Sequence, residues 1–176
     1  MRAIRTTIIS ILAMGLLAGS AVGVAAQDEA AVDESMGPAL VSGVLSSDGS
    51  QVEGETRTTQ NGIVRDQWVE TTNTEMNDPR LSGVLTIDLT RERFDTVGTD
   101  LGWATVRIEN DAGFWDGTSV DTSDRTTRSG EEVAYYELVG GGAYEGLSAV
   151  LFQTEPPSGD WLLSGIIFPG DLPPDR

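Results

Sequence analysis

Beyond residue 38 the chain alternates polar and apolar positions in short runs, and turn-forming residues separate those runs. In Ile63-Val64-Arg65-Asp66-Gln67-Trp68-Val69-Glu70 and in Thr105-Val106-Arg107-Ile108-Glu109 the two characters exchange sides nearly every residue. That period belongs to a strand with one wet face and one dry face. Val, Ile, Thr, Tyr, Phe and Trp dominate the runs, as strands prefer. The pattern predicts strands over 39–46, 52–59, 63–71, 81–90, 102–110, 113–121, 132–139, 147–155 and 161–168. The last two runs, around Ala149-Val150-Leu151-Phe152 and Trp161-Leu162-Leu163, are apolar throughout and read as central strands. Tight turns are expected at Ser47-Asp48-Gly49-Ser50, Gln60-Asn61-Gly62 and Asn110-Asp111-Ala112-Gly113, with positive φ at their glycines. No stretch of helical apolar period follows Ala26, so helix should be scarce.

These elements predict an all-β fold, a single antiparallel β-barrel of eight to nine short strands, with a β-sandwich as the alternative. A local echo favours the barrel. Val41-Ser42-Gly43-Val44-Leu45, Leu81-Ser82-Gly83-Val84-Leu85 and Leu163-Ser164-Gly165-Ile166-Ile167 each carry a mid-strand glycine. Glycine there relieves crowding where a sheet coils strongly. The second interval is about twice the first and no copy stands near position 123, so the echo does not make a regular repeat.

The N-terminal segment 1–26 has the build of an export signal: Arg2 and Arg5, an apolar run from Ile8 to Leu17, then small residues ending in Ala26. Cleavage after Ala26 is expected, giving a secreted or extracytoplasmic chain. The alternative keeps Ile8 to Ala26 as an anchor, since that whole run carries no charge. The expected organisation is a signal over 1–26, a flexible acidic leader over 27–37, the barrel over 38–168 and an extended tail over 169–176. No membrane contact is expected once the signal is gone.

Composition narrows the chemistry. The 176 residues include no His, Cys or Lys, and 28 Asp and Glu stand against 11 Arg, a net charge of −17. Losing the signal would remove Arg2 and Arg5 and make it −19. That field repels nucleic acid and anionic membranes. Triads that need His, Cys or Lys are excluded, and zinc, haem and iron–sulfur sites lose their usual ligands. Gly140-Gly141-Gly142-Ala143-Tyr144-Glu145-Gly146 precedes a strand-like run, so it reads as a structural loop and not a phosphate cradle.

What remains is aromatic, carboxylate and arginine chemistry. Trp68, Trp103, Trp115 and Tyr144 are the candidate ligand-binding residues, able to stack an apolar or carbohydrate molecule. Glu109, Asp111, Asp116, Asp121 and Asp124 follow one another closely and are the candidate calcium ligands, although no EF-hand or repeat pattern frames them. Arg65, Arg91, Arg93, Arg107, Arg125 and Arg128 read as counter-ions on an acidic surface.

At Ile108-Glu109-Asn110-Asp111-Ala112-Gly113-Phe114-Trp115-Asp116-Gly117, Gly142-Ala143-Tyr144-Glu145-Gly146-Leu147-Ser148-Ala149 and Gly165-Ile166-Ile167-Phe168-Pro169-Gly170 the chain resembles a set of uncharacterised exported bacterial proteins. The middle stretch is also similar to the Gly-x-aromatic-x-Gly turn of the allene oxide cyclase and dirigent barrels. The resemblance covers the chain from Ile108 onward and implies a small barrel with a central apolar cavity. No catalytic residue of those barrels matches a position here, so their activities are not carried over.

Two function classes follow, the first the expected one and the second its alternative. One is a non-catalytic binding or structural module for a small apolar or carbohydrate ligand or an extracellular protein. The other is a small enzyme, an isomerase, cyclase or glycoside hydrolase, working with carboxylates, Tyr or Arg. No resident cofactor is expected unless Ca²⁺ binds. An apolar, chemically inert interior would favour the module, and two or more ionisable side chains converging in a cavity would favour the enzyme.

Overall fold

The computed structural model describes residues 36–46, 48–126, 132–155 and 161–174, all within one unit, Val32–Arg176. The expected signal and its cleavage site, most of the leader, Ser47, Arg128 and the last two residues lie outside the described residues.

Among the described residues nine strands form in the expected places: β1 (Ala39–Leu45), β2 (Ser50–Thr58), β3 (Val64–Met76), β4 (Gly83–Phe94), β5 (Thr99–Glu109), β6 (Gly113–Asp124), β7 (Glu132–Gly142), β8 (Leu147–Thr154) and β9 (Trp161–Pro169). Several outrun their predicted ends, β3 reaching as far as Met76, because ladder pairing continues through polar Thr and Asn positions that hydropathy reads as turn. A 3-10 turn, Pro79–Leu81, stands between β3 and β4.

Each strand from β2 to β9 pairs antiparallel with the next, β9 pairs with β1, and β1 pairs with β3, so one sheet closes in a ring. This is the barrel rather than the sandwich. β1 and β2 lie end to end along β3: β1 meets Thr74 to Met76, and β2 meets Val64 to Thr71. They act as one long strand broken between Leu45 and Ser50. Eight strands therefore make the ring, while β2 runs on beyond the closure, exposed along its whole length.

The echoed glycines sit where the sheet coils. A Cβ on Gly43 would stand 2.1 Å from the Glu75 carbonyl oxygen, and one on Gly165 would stand 2.0 Å from that of Val150. Any larger residue would push neighbouring strands apart. The Asn110 turn works differently from its expectation. Neither its glycine nor Gly49 of the Asp48 turn has positive φ, and Asn110 Oδ1 instead accepts from Ala112 N and Gly113 N at 3.1 and 3.2 Å.

Inward positions fill the barrel unevenly along its axis. At one end, the floor, Leu81, Leu85, Ile108, Trp115, Leu138, Leu147, Leu151 and Ile167 are all 2% exposed or less. Trp115 stacks on Tyr144 with ring centroids 5.4 Å apart, and its Nε1 donates to the Arg80 carbonyl at 2.8 Å. Tyr144 in turn donates to Asn110 Oδ1 at 2.7 Å. At the other end, the mouth, the inward positions turn polar. The expectation of a greasy and inert interior holds for the floor alone.

Candidate functional site

The mouth follows from strand parity. In β4 the buried Leu85 and Leu89 share a face with Ile87, and continuing that face by two residues places Arg91 inside the barrel. In β6 the face of Trp115 continues through Ser119 to Asp121 and Ser123. In β7 the face of Leu138, Tyr136 and Ala134 begins at Glu132. β3 adds Trp68 and Glu70, β8 adds Gln153, and β9 opens with Trp161. Together with the break between β1 and β2 at Ser46 and Gly49, these residues line a cavity of about 400 Å³. That is the size of a small-molecule pocket.

Arg91 is the hub. Its Nη2 lies 3.2 Å from Glu132 Oε2 and 3.4 Å from Asp121 Oδ1, and its guanidinium carbon stands 4.9 Å from the Trp68 ring centre. Its Nε is buried and has no hydrogen-bond partner among the described residues. Beside it the Tyr136 hydroxyl donates to Gln153 Oε1. A Cβ on Gly102 would stand 2.0 Å from Asp121 Oδ2, so glycine there makes room for that carboxylate.

Burial sets the protonation of these acids. It pushes Glu132 up to about 7; Arg91 opposes that shift, while Asp121, Glu155 and Glu70 add to it by like-charge repulsion. Burial also raises Asp121, with Arg91 pulling the other way and Asp100 adding to the rise. The Tyr136 hydroxyl is raised as well, first by burial and then by the charges of Glu132, Asp121 and Glu70. A second cluster stands nearby on the same face of β5 and β6. Asp100 is 5% exposed, accepts from Ser123 Oγ at 3.3 Å, and lies 2.8 Å from Arg125 Nε.

The structure distributes the candidate ligand-binding residues. Trp68 lines the cavity. Trp103 is on the outer wall, 39% exposed, under the Arg65 guanidinium. Trp115 and Tyr144 are core residues of the floor, at 0% and 7% exposure, and neither lines the cavity. The candidate calcium ligands are divided too. Glu109 and Asp116 stand on the outer wall and both pair with Arg107, at 2.9 and 2.8 Å. Asp111 is exposed in the Asn110 turn, and Asp124 caps the end of β6, accepting from Thr126. Asp121 alone faces the cavity. Among the described residues no group of three or more acids is placed to hold a metal ion.

Arg65, Arg107 and Arg125 are the expected surface counter-ions, paired with Glu92, with Glu109 and Asp116, and with Asp95. Arg93 pairs with Asp66. Arg91 departs from the expectation, because its parity turns it inward. Arg91, Glu132, Tyr136 and Gln153 are the site residues that hydropathy reading missed. The signal was present: each lies an even number of positions from a buried apolar residue of its own strand.

Fold and site together define a class, a small antiparallel barrel with an ionisable pocket in one mouth. No protein-family model matches the chain, and no curated protein matches it either.

Proposed function

We propose that the barrel is a small-molecule enzyme of the isomerase or cyclase type, in which Glu132 exchanges a proton with a substrate held in the mouth. The observation that carries this reading is the convergence of Arg91, Asp121 and Glu132 in one cavity of about 400 Å³. A carboxyl that titrates near neutrality both takes and gives protons under ordinary conditions. Arg91 beside it supplies fixed positive charge for an oxygen that becomes anionic when a neighbouring C–H is broken. Trp68 and Trp161 provide flat apolar surface for the body of the substrate. The export signal read in the sequence puts this activity outside the cytoplasm.

A second reading uses the same cavity without chemistry. The two tryptophans beside Gln153 and Ser119 suit a carbohydrate or other ligand with an apolar face and hydroxyl edges. A proton-abstraction probe separates the two. With nitrobenzisoxazole a base removes the ring C–H proton, the N–O bond breaks, and a coloured cyanophenolate forms. Turnover above the buffer rate should rise with pH through about 7, as Glu132 loses its proton, and disappear in Glu132→Gln. A variant as fast as the wild type would sink the catalytic reading. Saturable quenching of tryptophan fluorescence by the probe without turnover would replace it with the binding one.

A further inference from the structure

The outer wall of the barrel has two characters. On β3 and β4 the outward positions carry Arg65, Asp88 and Glu92. Across the middle and the mouth end of β5 to β9 they do not. Trp103 is opposite Val120, Val120 opposite Tyr135, Tyr135 opposite Phe152, and Phe152 opposite Ser164, one row across five strands. The row toward the mouth runs Leu101, Thr122, Val133, Thr154 and Leu162, and the row toward the floor runs Thr105, Thr118, Glu137, Val150 and Ile166. Glu137 is the single acid in the three rows, and it accepts from the Tyr135 hydroxyl. The large apolar members other than Val150 are 36% to 50% exposed, and the Tyr135 and Phe152 ring centroids stand 5.2 Å apart.

We infer that this wall is the interface between two copies of the chain. Eight large apolar side chains, three of them aromatic, lie side by side and at least a third exposed, the kind of patch that marks an interaction site. In a ring of eight strands the five turn through more than half the circumference, so a facing copy meets the central three, β6 to β8, over about 14 Å by about 20 Å. Charge selects the occupant. A chain of net charge −17 repels its own copy least where acids are sparse, and among the described residues the three rows of this wall carry a single one. An apolar neutral face is also its own complement across a two-fold axis. A lipid belt would have to run all the way round the barrel, and the Arg65, Asp88 and Glu92 sector interrupts it.

Sedimentation velocity on the chain purified from an expression host, its N-terminus defined by mass spectrometry, tests this inference. The wild type should sediment as a dimer at micromolar concentration. Phe152→Glu and Val120→Asp, both at exposed positions, should weaken association at least 100-fold while leaving near-ultraviolet circular dichroism unchanged. Asp88→Asn, on the charged wall, should leave the dimer as it is. A wild-type monomer across the accessible range overturns the inference, as does a dimer that survives both wall variants. A monomer that co-sediments with phosphatidylcholine vesicles also overturns it and assigns the wall to lipid.

Discussion

Strand β6 carries both ends of the barrel on one face. Trp115 at the floor is 0% exposed, stacked on Tyr144 and hydrogen-bonded to the Arg80 carbonyl; further along the strand, Asp121 faces Arg91 across the mouth. The same alternation places both side chains inside. Period fixes which face a residue occupies, and it leaves open what that face is for. At the floor, burial is satisfied by apolar contact, which stabilises in proportion to the area removed from water. At the mouth, burial raises the cost of charge, and the acids respond by holding their protons to higher pH. The floor thus gathers apolar burial and the mouth gathers ionisable groups.

The largest effect should come from the floor. Trp115→Ala removes the most voluminous fully buried side chain, its stack on Tyr144 and its bond to Arg80. A loss of about 3–5 kcal/mol is expected in urea denaturation, the usual range for an aromatic truncated in a core. The mouth should be left nearly intact in whatever fraction remains folded. A loss below about 1 kcal/mol would break the contrast, because it would mean that the floor relaxes as readily as an open cleft.

At the mouth the expected sign is opposite. Folded Glu132 keeps its proton to about 7, whereas the unfolded chain releases it near the ordinary 4.5. Between those values the folded state binds more protons, so raising the pH lowers stability, and the loss is complete above about 7. Glu132→Gln removes this term. The variant should match the wild type near pH 4 and exceed it by on the order of 2 kcal/mol at pH 8, with denaturation midpoints followed across that range. A variant less stable than the wild type at pH 8 would mean that the ion pair with Arg91 outweighs desolvation, making the mouth a stabilising network like the floor.

Most of the fold was legible in the sequence, and less of the site. All nine strands could be placed because alternation, β-branched residues and turn glycines agree along each segment. The floor could not be told from a ligand site, because Trp115 and Tyr144 look alike whether they meet each other or a guest. Their stacking depends on β6 and on the turn after β7 meeting in space. The mouth was hidden for a different reason. Arg91-Glu92-Arg93 reads as a charged surface run, yet its members alternate: Glu92 pairs with Arg65 outside while Arg91 turns in. Counting parity from Leu85 and Leu89 would have found it. What parity cannot give is the meeting of Arg91, Asp121 and Glu132, which requires the registers of β4 through β7.

The smallest perturbation is the most discriminating. An added Cβ at Gly165 would meet the Val150 carbonyl of the backbone, whereas one at Gly102 would meet only the end of the Asp121 side chain. A side chain swings aside where a strand cannot, so Gly102→Ala should cost less than about 1 kcal/mol. Its consequence is electrostatic. Asp121 repels the charged form of Glu132 and helps hold its proton, and it also shares Arg91. Moving that carboxylate away removes the repulsion and leaves Arg91 to Glu132 alone, and both changes favour the ionised form. The Glu132 titration, followed by carboxyl NMR in wild type and variant, should therefore move down from about 7. A midpoint that stays in place would show that Asp121 has no part in setting it, and that Asp121 and Glu132 titrate as separate groups rather than as one site.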